Sequence, residues 1–219
     1  MTPGPVALLT VSLLLGMRHA TDADHVVAVT TIVCRQRGLR GVVAIGALWG
    51  LGHTVTILIV GGAIILFGVV VPPRLGLCLE MAVAGMLILL GALNLRGGAR
   101  PARDLAHVHA STSQPVGWRP LAIGVVHGLA GSAAVALLVL TTIREPVWAI
   151  IYLAIFGVGT VLGMMLMTTL MTMPLAAASR RFGSLERVAT KLTGALSLAF
   201  GLALAYRLGF VAGLFTGAP

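Results

Sequence analysis

Two stretches of this chain, Gly41 to Pro73 and Pro146 to Ser179, contain no Asp, Glu, Lys or Arg. Each is longer than the roughly 20 apolar residues a helix needs to cross about 30 Å of hydrocarbon. The bilayer, not water, must therefore be the main solvent of the fold. Composition agrees: 58% of the 219 residues are hydrophobic and 10% charged, with a mean hydropathy of +1.04. A soluble domain of this size could not hide so much apolar surface.

Hydropathy and breaker residues divide the chain into six expected spans: 6–34, 41–71, 75–95, 119–142, 147–176 and 188–210. The net charge of +9 would suggest a nucleic-acid partner in a soluble protein, but its placement argues otherwise. Arg35, Arg37, Arg40, Arg96, Arg100, Arg103, Arg119, Arg180, Arg181, Arg187 and Lys191 fall on one side of the membrane, against Arg74, Arg144 and Arg207 on the other. Positive charge collects on the cytoplasmic side. The expected placement is a multi-pass protein of a bacterial cell inner membrane with both termini outside, in the periplasm, and no nucleic-acid partner. The opening segment lacks a basic n-region and a small-residue cleavage site, so it reads as the first span. Cys34 and Cys78 belong to opposite ends of their spans and are not expected to pair.

The longest polar stretch separates two halves of three spans. The expected domains are 1–95, a cytoplasmic linker 96–118 and 119–219. Gly16-Met17-Arg18-His19 in span 1 matches Gly124-Val125-Val126-His127 in span 4, and Leu51-Gly52-His53-Thr54 in span 2 matches Leu162-Gly163-Met164-Met165 in span 5. Halves with an odd number of spans must lie in opposite orientations. The expected fold class is an all-α integral membrane protein with six transmembrane helices as two inverted three-helix repeats. Many of the 28 glycines lie inside spans, where they let backbones approach closely.

Span 1 contains five ionisable groups in eight residues: Arg18, His19, Asp22, Asp24 and His25. Each costs about 2.5 to 3.5 kcal/mol at the bilayer centre when unpaired, so the cluster needs a compensating role. On one continuous helix His19, Asp22 and His25 share a face, Asp24 points elsewhere, and Arg18 and Asp22 are i, i+4 partners. Alternatively span 1 is broken, with Thr21-x-x-Asp24 as a capping box. At 1.5 Å per residue, His53 lies about 18 Å and His127 about 12 Å from the cytoplasmic ends of their spans, and His19 about 20 Å from the outer end of its own. Three spans thus bring imidazole to one depth. Imidazole with some carboxylate suits nickel, cobalt or zinc, whereas calcium and magnesium prefer oxygen alone. The candidate metal ligands are His19, Asp22, Asp24, His25, His53 and His127. Met164 and Met165 read first as packing, Glu80 as an interfacial charge, and His107 and His109 as residues of a solvated loop.

The run Arg18-His19-Ala20-Thr21-Asp22-Ala23-Asp24-His25 resembles the His-x4-Asp-His signature of the nickel/cobalt transporter (NiCoT) family, and Leu51-Gly52-His53-Thr54 resembles that family's second helix motif. The segment Gly124 to Ala134 is similar to the short six-helix urease-accessory-type, or UreH-like, members. Where typical members have an Asp-Thr-Ala-Thr-Glu stretch this chain has Ala130 to Ala134. Thr168 and Thr169 stand where acids follow a Gly-Met motif. The resemblance implies metal permeation through the histidines and aspartates above.

The expected function is a secondary transporter moving nickel or cobalt across the inner membrane, most readily uptake. Efflux for metal resistance and a metal-delivery accessory role are the alternatives. The expected partners are the divalent ion, as transported substrate rather than cofactor, and the lipid bilayer. An enzyme is not expected: the His-Glu-x-x-His of intramembrane proteases is absent, and there are too few histidines for the His boxes of di-iron hydroxylases.

Overall fold

The computed structural model describes residues 4–33, 39–68, 72–96, 117–130, 143, 145–181 and 185–216. Among them all regular structure is helical: α1 Pro5–His19, α2 Ala23–Val33, α3 Leu39–Phe67, α4 Pro73–Arg96, α5 Arg119–Leu129, α6 Pro146–Arg181 and α7 Leu185–Tyr206, the last running into a π-helical turn, Arg207–Val211. Four helices are long and apolar enough to cross a membrane, and α1 and α2 are shorter apolar helices. This fits a multi-pass membrane protein. The expected linker 96–118, with His107 and His109, lies almost wholly outside the described residues, as do the far part of span 4 and Cys34.

Proline and glycine set several boundaries. Prolines open α1, α4 and α6, and Pro120 sits in the first turn of α5, where a missing N–H costs nothing and φ is already helical. Gly68, at φ 62°, follows the end of α3, a conformation that glycine adopts without a Cβ penalty. The second span therefore stops at Phe67, short of the expected 71.

Expected span 1 is two helices rather than one. Helical bonding stops at His19 and resumes at Ala23; in between, the Thr21 and Asp22 amides bond back to Arg18 O and His19 O at 2.8 and 3.1 Å. The capping box does not form, because the Thr21 hydroxyl donates to Arg18 O at 2.6 Å. It satisfies a C-terminal carbonyl of α1 instead of an N-terminal amide of α2.

The bundle has an apolar exterior, and polar side chains are buried among the apolar residues of its core. Leu51, Val55, Ile59, Leu89, Leu93, Leu162, Leu166, Leu192 and Leu196 are exposed, whereas Ser12, Thr31, Asn94, Thr160, Thr168 and Ser197 are buried. Lipid covers such a surface at no cost, so contacts between helices depend on close packing and hydrogen bonds. Gly16 of α1 touches the backbone of Phe156 and Thr160 in α6, and Gly159 of α6 touches Leu13. Gly124 of α5 touches the backbone of Trp49 and His53 in α3, and Gly52 of α3 touches Leu121. Gly50 meets Val161 while Gly157 meets Thr54, so α3 and α6 cross antiparallel. Gly91 meets Gly194 and Leu198, pairing α4 with α7. Bonds from side chain to backbone tie helices together: Ser12 to Tyr152 O at 2.6 Å, Asn94 to Thr31 O at 2.7 Å and Ser197 to Leu87 O at 2.8 Å.

Candidate metal centre

The break at Ala20–Asp22 puts His19 at the end of α1 and Asp24 and His25 in the first turn of α2. His53 comes from the middle of α3 and His127 from the last turn of α5. The backbone approaches of Gly124 and Gly128 of α5 to His53 bring these helices together at the depth of the break. Four imidazoles from three spans thereby meet in one cluster, tilted or edge-on to one another. Ring centroids lie 4.8 Å apart for His19 and His25, 5.0 Å for His19 and His53, 5.3 Å for His25 and His53, and 4.3 Å for His25 and His127. His25, His53 and His127 are fully buried, and His19 is 6% exposed.

Carboxylates hold three of the rings. Asp24 accepts from His127 Nε2 at 2.8 Å, from His25 Nδ1 at 3.1 Å and from the His25 amide at 3.0 Å. Asp22 accepts from His19 Nδ1 at 2.8 Å. His19 Nε2 faces His53 Nε2 at 3.0 Å. An ionised carboxylate only accepts, so each ring nitrogen that meets one must carry its proton, and the other nitrogen of that ring keeps a lone pair. His25 Nε2, His53 Nδ1 and His127 Nδ1 are buried with no hydrogen-bond partner. Buried polar atoms are seldom left unpaired, and a cation would satisfy these. Their chemistry fits a borderline divalent ion. Two groups have ligating atoms all within 4.8 Å of one another: His19, His25 and His53, and Asp24, His25 and His127.

All six expected residues therefore gather, with one exchange of roles. Asp22, expected to share the inner face, has a side chain 40% exposed and among the described residues pairs only with His19; Asp24, expected to point away, is 20% exposed and joins two buried imidazoles. The reason is the break, which turns Asp24 out of the register of a continuous helix. Among the described residues no ion pair joins Arg18 to Asp22; Arg18 is exposed. Met164 is fully buried in the apolar core with Ala20, Val42 and Trp49, a packing environment.

Two aromatic residues enclose the cluster without having been singled out by sequence. Phe156 lies 5.6 Å from His19, and Trp49 lies 5.8 Å from both His25 and His127. Trp49 stands one turn before His53 on α3, the only cue that was available. Beside Asp24, a cavity of about 270 Å³ extends to Glu80 on α4 and to Phe200 and Leu204 on α7.

The chain is 36% identical over 220 aligned positions to "Urease accessory protein UreH" of Bacillus sp. (strain TB-90), covering 96% of this chain and 95% of that protein. The chain belongs to the UreH family. A match this even leaves little of either chain without a counterpart, so the four histidines, from His19 to His127, fall within the shared length. The relative's name describes an accessory role and not an enzymatic one. No protein-family model matches the chain, and no solved structure does.

Proposed function

We propose that this protein is a short member of the nickel/cobalt transporter group that takes up a divalent transition-metal ion, nickel or cobalt, across a bacterial inner membrane. The observation that carries this reading is the set of buried imidazoles with unpaired ring nitrogens, built from three membrane helices. In it His19, His25, His53 and His127 are the ion's ligands. Asp22 and Asp24 lend negative charge and fix the tautomers, as carboxylates behind metal-bound histidines commonly do. Protons compete with the ion for the same nitrogens. An accessory role for the named relative suits import for delivery better than expulsion.

Helix contacts support the inverted repeat. Gly16 meets Phe156 and Thr160 as Gly124 meets Trp49 and His53; Gly52 meets Leu121 as Gly159 meets Leu13. Exchanging the halves turns each contact into its mate. In this register His19 pairs with His127 and Trp49 with Phe156. The mate of His53 is then Thr160, not Met164 as the Leu-Gly match suggested. The ion site lies on the pseudo-two-fold axis near the bilayer midplane, where such repeats place it. Both termini face the periplasm by the charge distribution.

Purified protein in proteoliposomes should accumulate radioactive nickel or cobalt, and His25→Ala should abolish accumulation while the variant stays monodisperse and helical. Unchanged flux in His25→Ala would falsify the assignment.

A further inference from the structure

The histidine cluster is sealed, so an ion must reach it through something else. Asp24 is the link: it touches His25 and His127 on one side and lines the 270 Å³ cavity on the other. Ala23 and Ala130, at the start of α2 and just past the end of α5, line the same cavity. The start of α2 and the end of α5 thus abut it. Among the described residues, the ionisable ones on its wall are Asp24 and Glu80, with no Lys or Arg; Val83, Phe200 and Leu204 supply apolar wall.

Glu80 has no ordinary structural explanation. It is only partly exposed and, among the described residues, makes no ion pair or hydrogen bond. At 1.5 Å per residue it lies about 10 Å along α4 from Pro73, deep enough for an unpaired carboxylate to be costly. Water and a cation held in the cavity would remove that cost. Its volume exceeds the share of about six waters at ~30 Å³ each, so a divalent ion fits with its first hydration shell. Behind Asp24, His25 Nε2 and His127 Nδ1 are buried and unpartnered, ready to replace those waters.

We infer that this cavity is an entry site for the hydrated divalent cation and that Glu80 is its capturing acid, passing the ion to Asp24 and thence to the imidazoles. The inference rests on the transport reading above. Glu80 binds the ion through water and raises its local concentration; it is not a ligand of the inner site. Removing its charge should weaken capture without slowing translocation.

The test is the initial rate of nickel uptake into proteoliposomes as a function of nickel concentration. Glu80→Gln should raise KM on the order of tenfold with little change in maximal rate, by loss of electrostatic focusing, and Glu80→Asp should restore most of it. The KM of the unaltered protein should rise with ionic strength more steeply than that of Glu80→Gln. A KM unchanged in Glu80→Gln, or a fall in maximal rate alone, overturns the inference. If the Gln variant does not fold, Glu80→Cys in a Cys34→Ser, Cys78→Ser background is treated with thiol reagents carrying a sulfonate or an ammonium group. The sulfonate adduct should have the lower KM, and equal values overturn the proposal. If the unaltered protein moves no metal, the transport reading itself has failed; metal flux indifferent to charge at position 80 sinks only the entry site.

Discussion

Asp24→Asn is the most searching single substitution, because it keeps the shape of the side chain and changes only what it can accept. Asn has one acceptor and one donor end. Its carbonyl can keep the bonds from the His25 amide and His25 Nδ1, now at 3.0 and 3.1 Å, and its NH2 then faces His127 Nε2, now at 2.8 Å. His127 must move its proton to Nδ1, the nitrogen left for the ion. A charge-assisted bond contributes about 1.5–3 kcal/mol and a neutral one about 0.5–1.5, so each ring bond loses about 1 to 1.5 kcal/mol and the pair about 2 to 3. At 1.4 kcal/mol per tenfold, nickel affinity should fall about 30- to 140-fold. Calorimetric titration of nickel into purified protein measures this directly. Asp22→Asn is the matched control: one ring bond, a 40% exposed carboxylate, and an expected loss of at most about fivefold, from the same arithmetic discounted for solvent. Equal affinities in Asp24→Asn and the unaltered protein would refute the claim that this carboxylate orients the ligands.

Two further expectations can be checked with simple readouts. A Cβ at position 124 would overlap the Trp49 carbonyl and stand 2.8 Å from Trp49 Cδ1, so Gly124→Ala should lower the melting temperature and the nickel affinity together. Gly62→Ala, which has open space, should change neither, and equal melting of the two variants would argue against the close crossing of α3 and α5. Of the three tryptophans, only Trp49 stacks on the cluster, 5.8 Å from His25; in Trp118→Phe, Trp148→Phe protein its fluorescence should be strongly quenched by nickel. Quenching that survives Trp49→Phe in the otherwise unaltered protein would place the ion elsewhere.

Much of this arrangement was legible in the sequence, and what escaped it was non-local. The four long apolar helices follow from apolar runs, two of them wholly uncharged, and the expense of five ionisable groups in one span points to the cluster from the sequence itself. The sequence alone leaves the break open because Thr21 has two possible uses. Serving the Arg18 carbonyl won, and once Ala20–Asp22 leave the helix the 100° rule assigns Asp22 and Asp24 to the wrong faces. Glu80 looked interfacial because a position along α4 cannot show that Asp24 stands across a cavity. Trp49 and Phe156 resembled any other buried aromatic residues of apolar helices. The pairing of Gly124 with Trp49 and His53 depends on two helices distant in sequence, so spacing within one of them gives no register.

His25 is common to the two ligand groups, and its Nε2 is a single lone pair. One nitrogen cannot serve two cations, so the groups can be occupied only in turn, and one protein should hold one inner ion at a time. A saturating nickel titration would then end at one equivalent in the interior however concentrated the metal becomes. On the proposed reading, the imidazole of His25 would be the ligand that a single ion keeps as it passes from the group with His127, beside Asp24, to the group with His19 and His53.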